Sequence, residues 1–354
     1  MNEADQISSV SDELGERVRG RLRDMTRYII RRLVYAVFTV FGISIVSFFI
    51  IQLPPGDFLT STINQLSLTQ GEVTQAQIAS LREVYRLDQP IAGQYFDWIS
   101  GIVLHGDFGQ SFVWNQPVAD LIWERLPLTV ILAVSTLFFT WLIAVPIGIY
   151  SAAKQYSIGD YVFTIFGFIG LAIPSFLIAL VLLYVSFKYF GQSVGGLFSP
   201  QYIDAPWTFA RFVDLLSHLW IPVIIVGLAG TAALIRVMRA NLLDELRKPY
   251  VVAARSRGLS ERRLILKYPV RLALSPLLST VGWVLPAIIS SGEVVAIVLS
   301  LQTMGPLLLR ALQDQDMYLA GSFIFMVSVL TVIGTLISDL LLAWSDPRIR
   351  HRYS

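Results

Sequence analysis

RKPYVVAARSRGLSERRLILKYPVRLALSP, Arg247 to Pro276, is a basic polar island between two long apolar runs. Its pattern predicts two short helices with a break between them. Tyr250 to Arg257 is compatible with the first, where Val251, Ala254 and Gly258 fall at i, i+3, i+7 on one face. Gly258 suits the position just past a helix end, where a left-handed backbone is needed. Ser260 can cap the second helix, with Glu261 in its first turn where the dipole favours an anion. Ile265, Tyr268 and Leu272 give that helix an apolar stripe, and Pro269 is expected to kink or end it. A compact knob of small and basic residues between apolar runs has the makings of a docking element. A passive basic loop that only sets topology is the alternative, because charge alone is common in inner loops.

The flanking runs make this a membrane chain. Of 354 residues, 55% are hydrophobic and only 15% charged. Mean hydropathy is +0.62, as expected of a protein that crosses a bilayer several times. A helix needs about 20 apolar residues to span the hydrocarbon. Spans are predicted at Leu33 to Leu53, about Leu128 to Ala152, and about Val162 to Phe190 with Pro174 in its middle. Three more follow at about Leu219 to Leu243, Leu274 to Leu301 and Tyr318 to Trp344. Leu53-Pro54-Pro55-Gly56-Asp57 is no signal-peptidase site, so the first run reads as a retained span. With the N-terminus inside, 21 of the 27 Lys and Arg lie on inner segments. The positive-inside rule therefore places loop 244–276 and both termini in the cytoplasm.

The chain then divides into a solvated extension (1–28), a first span (29–53), an outer helical insert (54–126), a five-helix core (127–344) and a tail (345–354). In the insert, Thr69-Gln70-Gly71-Glu72 is a capping-box signature for a helix to about Tyr85. A second helix begins at Gln89-Pro90, with Ile91, Tyr95, Trp98 and Ile99 on one side.

Several chemistries lack their residues. The chain has no cysteine, so it holds neither a disulfide nor a thiolate site. His105, His218 and His351 are scattered, without metal-ligand spacing. No Gly-x-x-x-x-Gly-Lys-Ser/Thr occurs, so ATP hydrolysis by a P-loop would fall to another polypeptide. No cofactor or metal is expected, and no nucleic acid.

The stretch Val252-Ala253-Ala254, three residues, Gly258, then Leu259-Ser260-Glu261, resembles the "EAA" coupling loop of bacterial ABC-importer membrane subunits, in the dipeptide/oligopeptide permease B-subunit class. Three other stretches resemble the same family: Pro55-Gly56-Asp57 at the end of the first span, Gly106-Asp107-Phe108-Gly109-Gln110-Ser111, and Arg125-Leu126-Pro127-Leu128-Thr129. The tail Asp346-Pro347-Arg348-Ile349-Arg350 completes the resemblance, which covers about residues 27 to 350. Val252 stands where many members carry Glu, and Val270-Arg271 where Leu-Pro is common. The resemblance implies an all-α, six-span permease subunit with a helical periplasmic insert and a cytoplasmic coupling-helix loop. It implies a homologous second permease, two cytoplasmic ABC ATPases docking at the loop, and an extracytoplasmic solute-binding protein. Relatives in this class carry peptides, nickel or oligosaccharides. The outer loop GGLFSPQYIDAPWTF reads either as an aromatic platform for sugars or as a packed lid.

Two other classes compete. An ion-gradient-driven secondary transporter calls for internal repeats and several intramembrane charges. An intramembrane protease calls for an embedded nucleophile with His, or paired aspartates. Neither pattern is present. Prolines 146, 174, 222 and 286 serve as hinges or as static kinks. Gly227, Gly230, Gly282 and Gly334 are candidates for close helix packing. Glu293 is the one acidic residue well inside a late span, where the family usually has a small residue and carries its glutamate at the position of Ile297. It reads as a translocation-pathway residue above Pro286, or as a side chain that snorkels outward or pairs with Arg310.

Overall fold

The computed structural model describes the backbone of residues 3–52, 89–111, 113–114, 116–191, 194–314 and 316–345. Side chains are described from residue 25 on within these, apart from 51–52, 279, 282–283, 285–286, 317 and 344–345. The capping box at Thr69 and the tail from Asp346 lie outside the described residues. Among the described residues the fold is helical throughout, with one isolated bridge between Gln110 and Pro117.

Helix α1 runs from Glu3 to Gln52 without a break. The polar extension and the first span thus share one helix. Helix α2, Ile91–Ser100, follows Pro90 and ends in a π-turn, Gly101–His105. Its apolar side is Trp98, buried, with Tyr95 and Ile99 partly buried against Phe48 of α1. Ile91, expected on the same side, is 55% exposed.

The motif from Gly106 to Ser111 has a structural explanation. Gly106 and Gly109 take positive φ of 67° and 86°, which favours glycine. Asp107 Oδ1 accepts from Gly109 N at 2.8 Å. Ser111 donates its hydroxyl to Asp316, which is fully buried and also accepts from Leu319 N. The turn is thereby tied to the start of the last helix.

Helix α3, Val118–Ala153, begins some ten residues before the expected span and contains both Pro127 and Pro146. The expected third span is not continuous. It is α4, Ile158–Ala172, and α5, Ser175–Val185, extended by a π-turn to Phe190, with a 95° bend between them. Pro174 has no N–H to offer and drives Ile173 out of the helical region, to φ −95° and ψ 122°. Helix α6, Phe209–Leu246, is 38 residues long and crosses α3 closely. At Gly148 an added Cβ would lie 2.7 Å from Met238 Cβ, and at Gly227 3.0 Å from Phe139, so both are close-packing sites.

Two short helices, α7, Pro249–Ser256, and α8, Glu261–Lys267, lead on to the long α9, Pro269–Val298. Helices α10, Met304–Gln313, and α11, Met317–Ser345, close the chain. Among the described residues four helices are long and apolar enough to cross a membrane, or five if the bent pair counts as one span. Helix α9 has 30 residues, and Ala287–Val298 is its apolar stretch among the described residues.

Among the described residues the core has three apolar clusters. One joins α3, α5, α6 and α9 through Leu132, Ala179, Ile225 and Ile288. A second joins α1, α2, α10 and α11 through Phe48, Trp98, Met304 and Phe323. The third packs α3, α6 and α9 near the loop, through Ala144, Leu234, Met238 and Leu277. Outward-facing apolar residues on α1, α4 and α5, among them Phe38, Phe166 and Phe187, remain exposed as on a lipid-facing surface.

Candidate functional site

The loop after α6 is built from two anchored helices. Pro249 occupies the first turn of α7, where its missing N–H costs nothing. Glu245 at the end of α6 accepts from Lys248 and, at 2.6 Å, from the Tyr250 hydroxyl. Burial and this carboxylate together push the Tyr250 phenol upward. Val251 and Leu264 are fully buried, so each helix is pinned by one apolar side chain. Gly258 has φ +77°, and its N–H donates to Arg255 O at 3.0 Å. Across this turn Arg255 and Glu261 form a two-pronged ion pair, the second contact at 3.1 Å. The hydrogen bond from Arg255 holds the Glu261 carboxyl below its ordinary value.

The residues singled out from the sequence come together here. Val252 and Ala253 face outward, Ala254 and Leu259 are partly buried, and Gly258, Ser260 and Glu261 are exposed. A Cβ at Gly258 would meet nothing within 4 Å, so the surface above it is open. Around it lie the exposed cations Arg255, Arg257, Arg262, Arg263 and Lys267. Two expectations fail locally. Ser260 precedes α8, but its side chain makes no capping bond, and the first-turn Glu261 turns to Arg255 instead. The stripe Ile265, Tyr268, Leu272 is not the buried one: Tyr268 and Leu272 are 37% and 50% exposed. The helix ends at Lys267, and Pro269 opens α9, so the register is reset and Leu264, Val270 and Ala273 are buried in their place.

Upstream of the loop, α6 makes a second polar contact. Arg239 of α6 grips Asp160 of α4 with two bonds, 3.1 and 2.9 Å. Asp160 is 3% exposed and also accepts from Tyr156 N, a residue held at φ +62°. Sequence reading passed over this pair, because a lone Asp in a short loop and an Arg 79 positions later carry no shared signal.

At the far end of the core, Glu293 sits five residues before the end of α9. Its Oε2 is shielded from solvent and has no hydrogen-bond partner, and no ion pair joins it to Arg310 among the described residues. It lines a cavity of about 20 Å³ with Thr129, Ala133, Ile288, Gly292 and Thr303. Gly305 lies directly against it; a Cβ there would be 2.4 Å from Oε2. Pro286 lies in α9, and its side chain is outside the described ones.

The outer loop closes over this end. Leu197 and Phe198 are buried. Leu197 N donates to Gln302 Oε1 at 2.9 Å, and Gly196 N to Leu299 O at 2.8 Å. Ser199 donates twice to Asp214, at 2.8 and 2.6 Å. The Arg211 guanidinium stacks on Phe198 and Trp207, at 4.7 and 4.6 Å. The loop packs down through Leu197 and Phe198, with Arg211 stacked on Phe198 and Trp207, while Trp207 stays 56% exposed and Phe209 82%.

Two family models match this arrangement. That for "Binding-protein-dependent transport system inner membrane component" covers residues 144–351, and that for its N-terminal part covers 25–133. The chain is 34% identical over 329 residues to an oligopeptide transport system permease protein, AppB, of Bacillus subtilis (strain 168), covering 92% of this chain and 100% of the relative. It is 30% identical to an oligopeptide transport system permease protein, OppB, of Haemophilus influenzae, over 92% of this chain and 100% of the relative. It is 28% identical to a dipeptide transport system permease protein, DppB, of Escherichia coli (strain K12), over 93% and 100%. A polytopic helical chain with these matches across both its halves belongs to the family of inner-membrane components of binding-protein-dependent transport systems.

Proposed function

We propose that this chain is the six-span permease subunit of an ATP-driven importer that carries peptides into the cell. A homologous second permease pairs with it, an extracytoplasmic binding protein delivers the solute, and two cytoplasmic ATPases dock at the loop. The observation that carries this reading is the loop's construction. Buried Val251 and Leu264 fix its two helices, the Arg255–Glu261 pair braces the turn, and small residues are left outward-facing amid cations. A rigid, exposed, self-satisfied knob is suited to transmit movement from a partner, whereas a loop that only sets topology needs no such internal bracing. Peptides are favoured as solute by the relatives, which are oligopeptide and dipeptide permeases.

ATP-driven closure of the ATPase pair then moves the loop, and the spans alternate between outward and inward openings. Glu293 and Pro286 are proposed to border the outer end of the pathway. The docking test is Ala254→Arg or Gly258→Asp, which puts charge into a close contact where an unpaired buried charge is costly. The expected outcome is loss of ATPase copurification with normal membrane insertion. ATPase association unchanged in both variants would remove the docking role. For the pathway, Glu293→Gln removes the charge and keeps the shape. Uptake or selectivity should change with the ATPases still bound; identical kinetics across solutes would take Glu293 out of the pathway.

A further inference from the structure

Glu293 shares its cavity of about 20 Å³ with two hydroxyls, those of Thr129 and Thr303; apolar side chains such as Leu132 and Ile288 line the rest. Thr303 stands at the N-cap position of α10, where a threonine hydroxyl ordinarily accepts from the backbone of the first turn. It makes no such bond. Thr303 is 3% exposed, and its Oγ1, like Glu293 Oε2, has no hydrogen-bond partner among the described residues. Buried polar atoms are rarely left unpaired, and here two of them line the same small space.

Counting hydrogens narrows what fits. The Thr129 hydroxyl donates to Arg125 O at 3.2 Å and accepts from Met304 N at 3.0 Å. Its hydrogen is engaged and one lone pair is left. An ionised Glu293 only accepts. Of the three side chains, Thr303 alone keeps a hydrogen to give. The cavity therefore offers acceptors from α3, from α9 and from the start of α10, together with one negative charge. Its volume takes one water-sized group. A water gives two hydrogens and no charge. A primary ammonium gives three hydrogens and the opposite charge, and an ionisable residue at membrane depth calls for a partner of that kind.

We propose that this cavity is a subsite for a primary ammonium group of the solute. The proposal rests on the peptide-importer reading and gives Glu293 its partner within it. The outer loop governs access. Gly196 N and Leu197 N hold Leu299 O and Gln302 Oε1, at 2.8 and 2.9 Å, and Ser300 between them is kept at φ +51°. Thr303 follows directly, so raising the outer loop would draw its hydroxyl away and open the cavity from that side.

The test reads the thermal midpoint of the assembled importer in nanodiscs, in equal concentrations of methylammonium, tetramethylammonium and sodium chloride. Wild type should melt higher in methylammonium than in either other salt, because a ligand that binds only the folded state stabilises it. Glu293→Gln should erase the difference. If that variant fails to assemble, Thr303→Ser should keep the difference and Thr303→Val should lose it. Tri-alaninamide carries only a terminal ammonium and N-acetyl-lysinamide only a side-chain one, so whichever of them reproduces the shift names the source. Equal midpoints in the three salts, or a difference untouched by the variants, would overturn the proposal and leave water as the occupant. ATP-dependent uptake of tri-alanine is measured alongside. Uptake without a salt difference would fault the subsite alone; a Glu293-dependent difference without uptake would fault the peptide reading alone.

Discussion

Glycine 305 shows how much one missing methyl can matter. Its Cα lies flat against Glu293, so an alanine Cβ would sit 2.4 Å from Oε2 and 3.1 Å from the Glu293 Cα and carbonyl oxygen. Two of those three atoms are backbone-linked and cannot swing away. Overpacking of this sort costs about 1–3 kcal/mol, so Gly305→Ala should lower the thermal midpoint of the purified complex. In a Glu293→Ala background the nearest obstacle is gone, and part of the loss should return; strict additivity of the two changes would show that they do not meet. Gly258 is the opposite case. Nothing surrounds its missing side chain, and its glycine is required by φ +77° alone. The sequence made the second glycine legible, because helix-stop chemistry is local. Gly305 was invisible in it, since its constraint comes from a residue on another helix.

At the scale of elements, the Asp160–Arg239 pair clamps the start of α4 to α6 two turns before the loop. The Asp160 side chain is 4% exposed and that of Arg239 28%. Taking away one partner of such a pair leaves the other desolvated, at a cost on the order of 3 kcal/mol. Asp160→Asn keeps an acceptor for Tyr156 N but abandons the guanidinium. We expect faster hydrogen exchange in residues 154–162 and weaker ATPase association, with insertion intact. Exchange and association as in wild type would show that the clamp carries no strain to the loop. This contact also marks where sequence reading stopped. Helix existence, the loop's two-part build and the break at Gly258 were legible, because apolar runs and caps are local signals. The bend at Pro174 was half legible: the proline was seen, but whether neighbours hold it straight or folded is decided by packing. Within α8 the expected stripe slipped because Pro269 restarts the helical phase. The tie between Ser111 and Asp316, 205 residues apart, had no sequence trace at all.

For the whole molecule, the arrangement predicts sidedness. The chain has no cysteine, so single introduced thiols report without background. Ser260→Cys should be labelled only from the cytoplasm, and Asp204→Cys in the lid only from outside; labelling of both from one side would reject the proposed topology. These two positions are joined by α6. Its 38 residues span about 57 Å. Its first turns hold the lid through Arg211 and Asp214, and its last turn holds the loop through Glu245. Between them Arg239 takes up Asp160. In the proposed topology this one helix reaches both faces of the membrane, and would work as a pushrod rather than a chain of relays. A shove on its loop end would then be felt at the lid within the same stroke, with Pro222 the one proline inside the helix. Stiffness of that single helix, more than any residue along it, would then set how faithfully the two faces keep time.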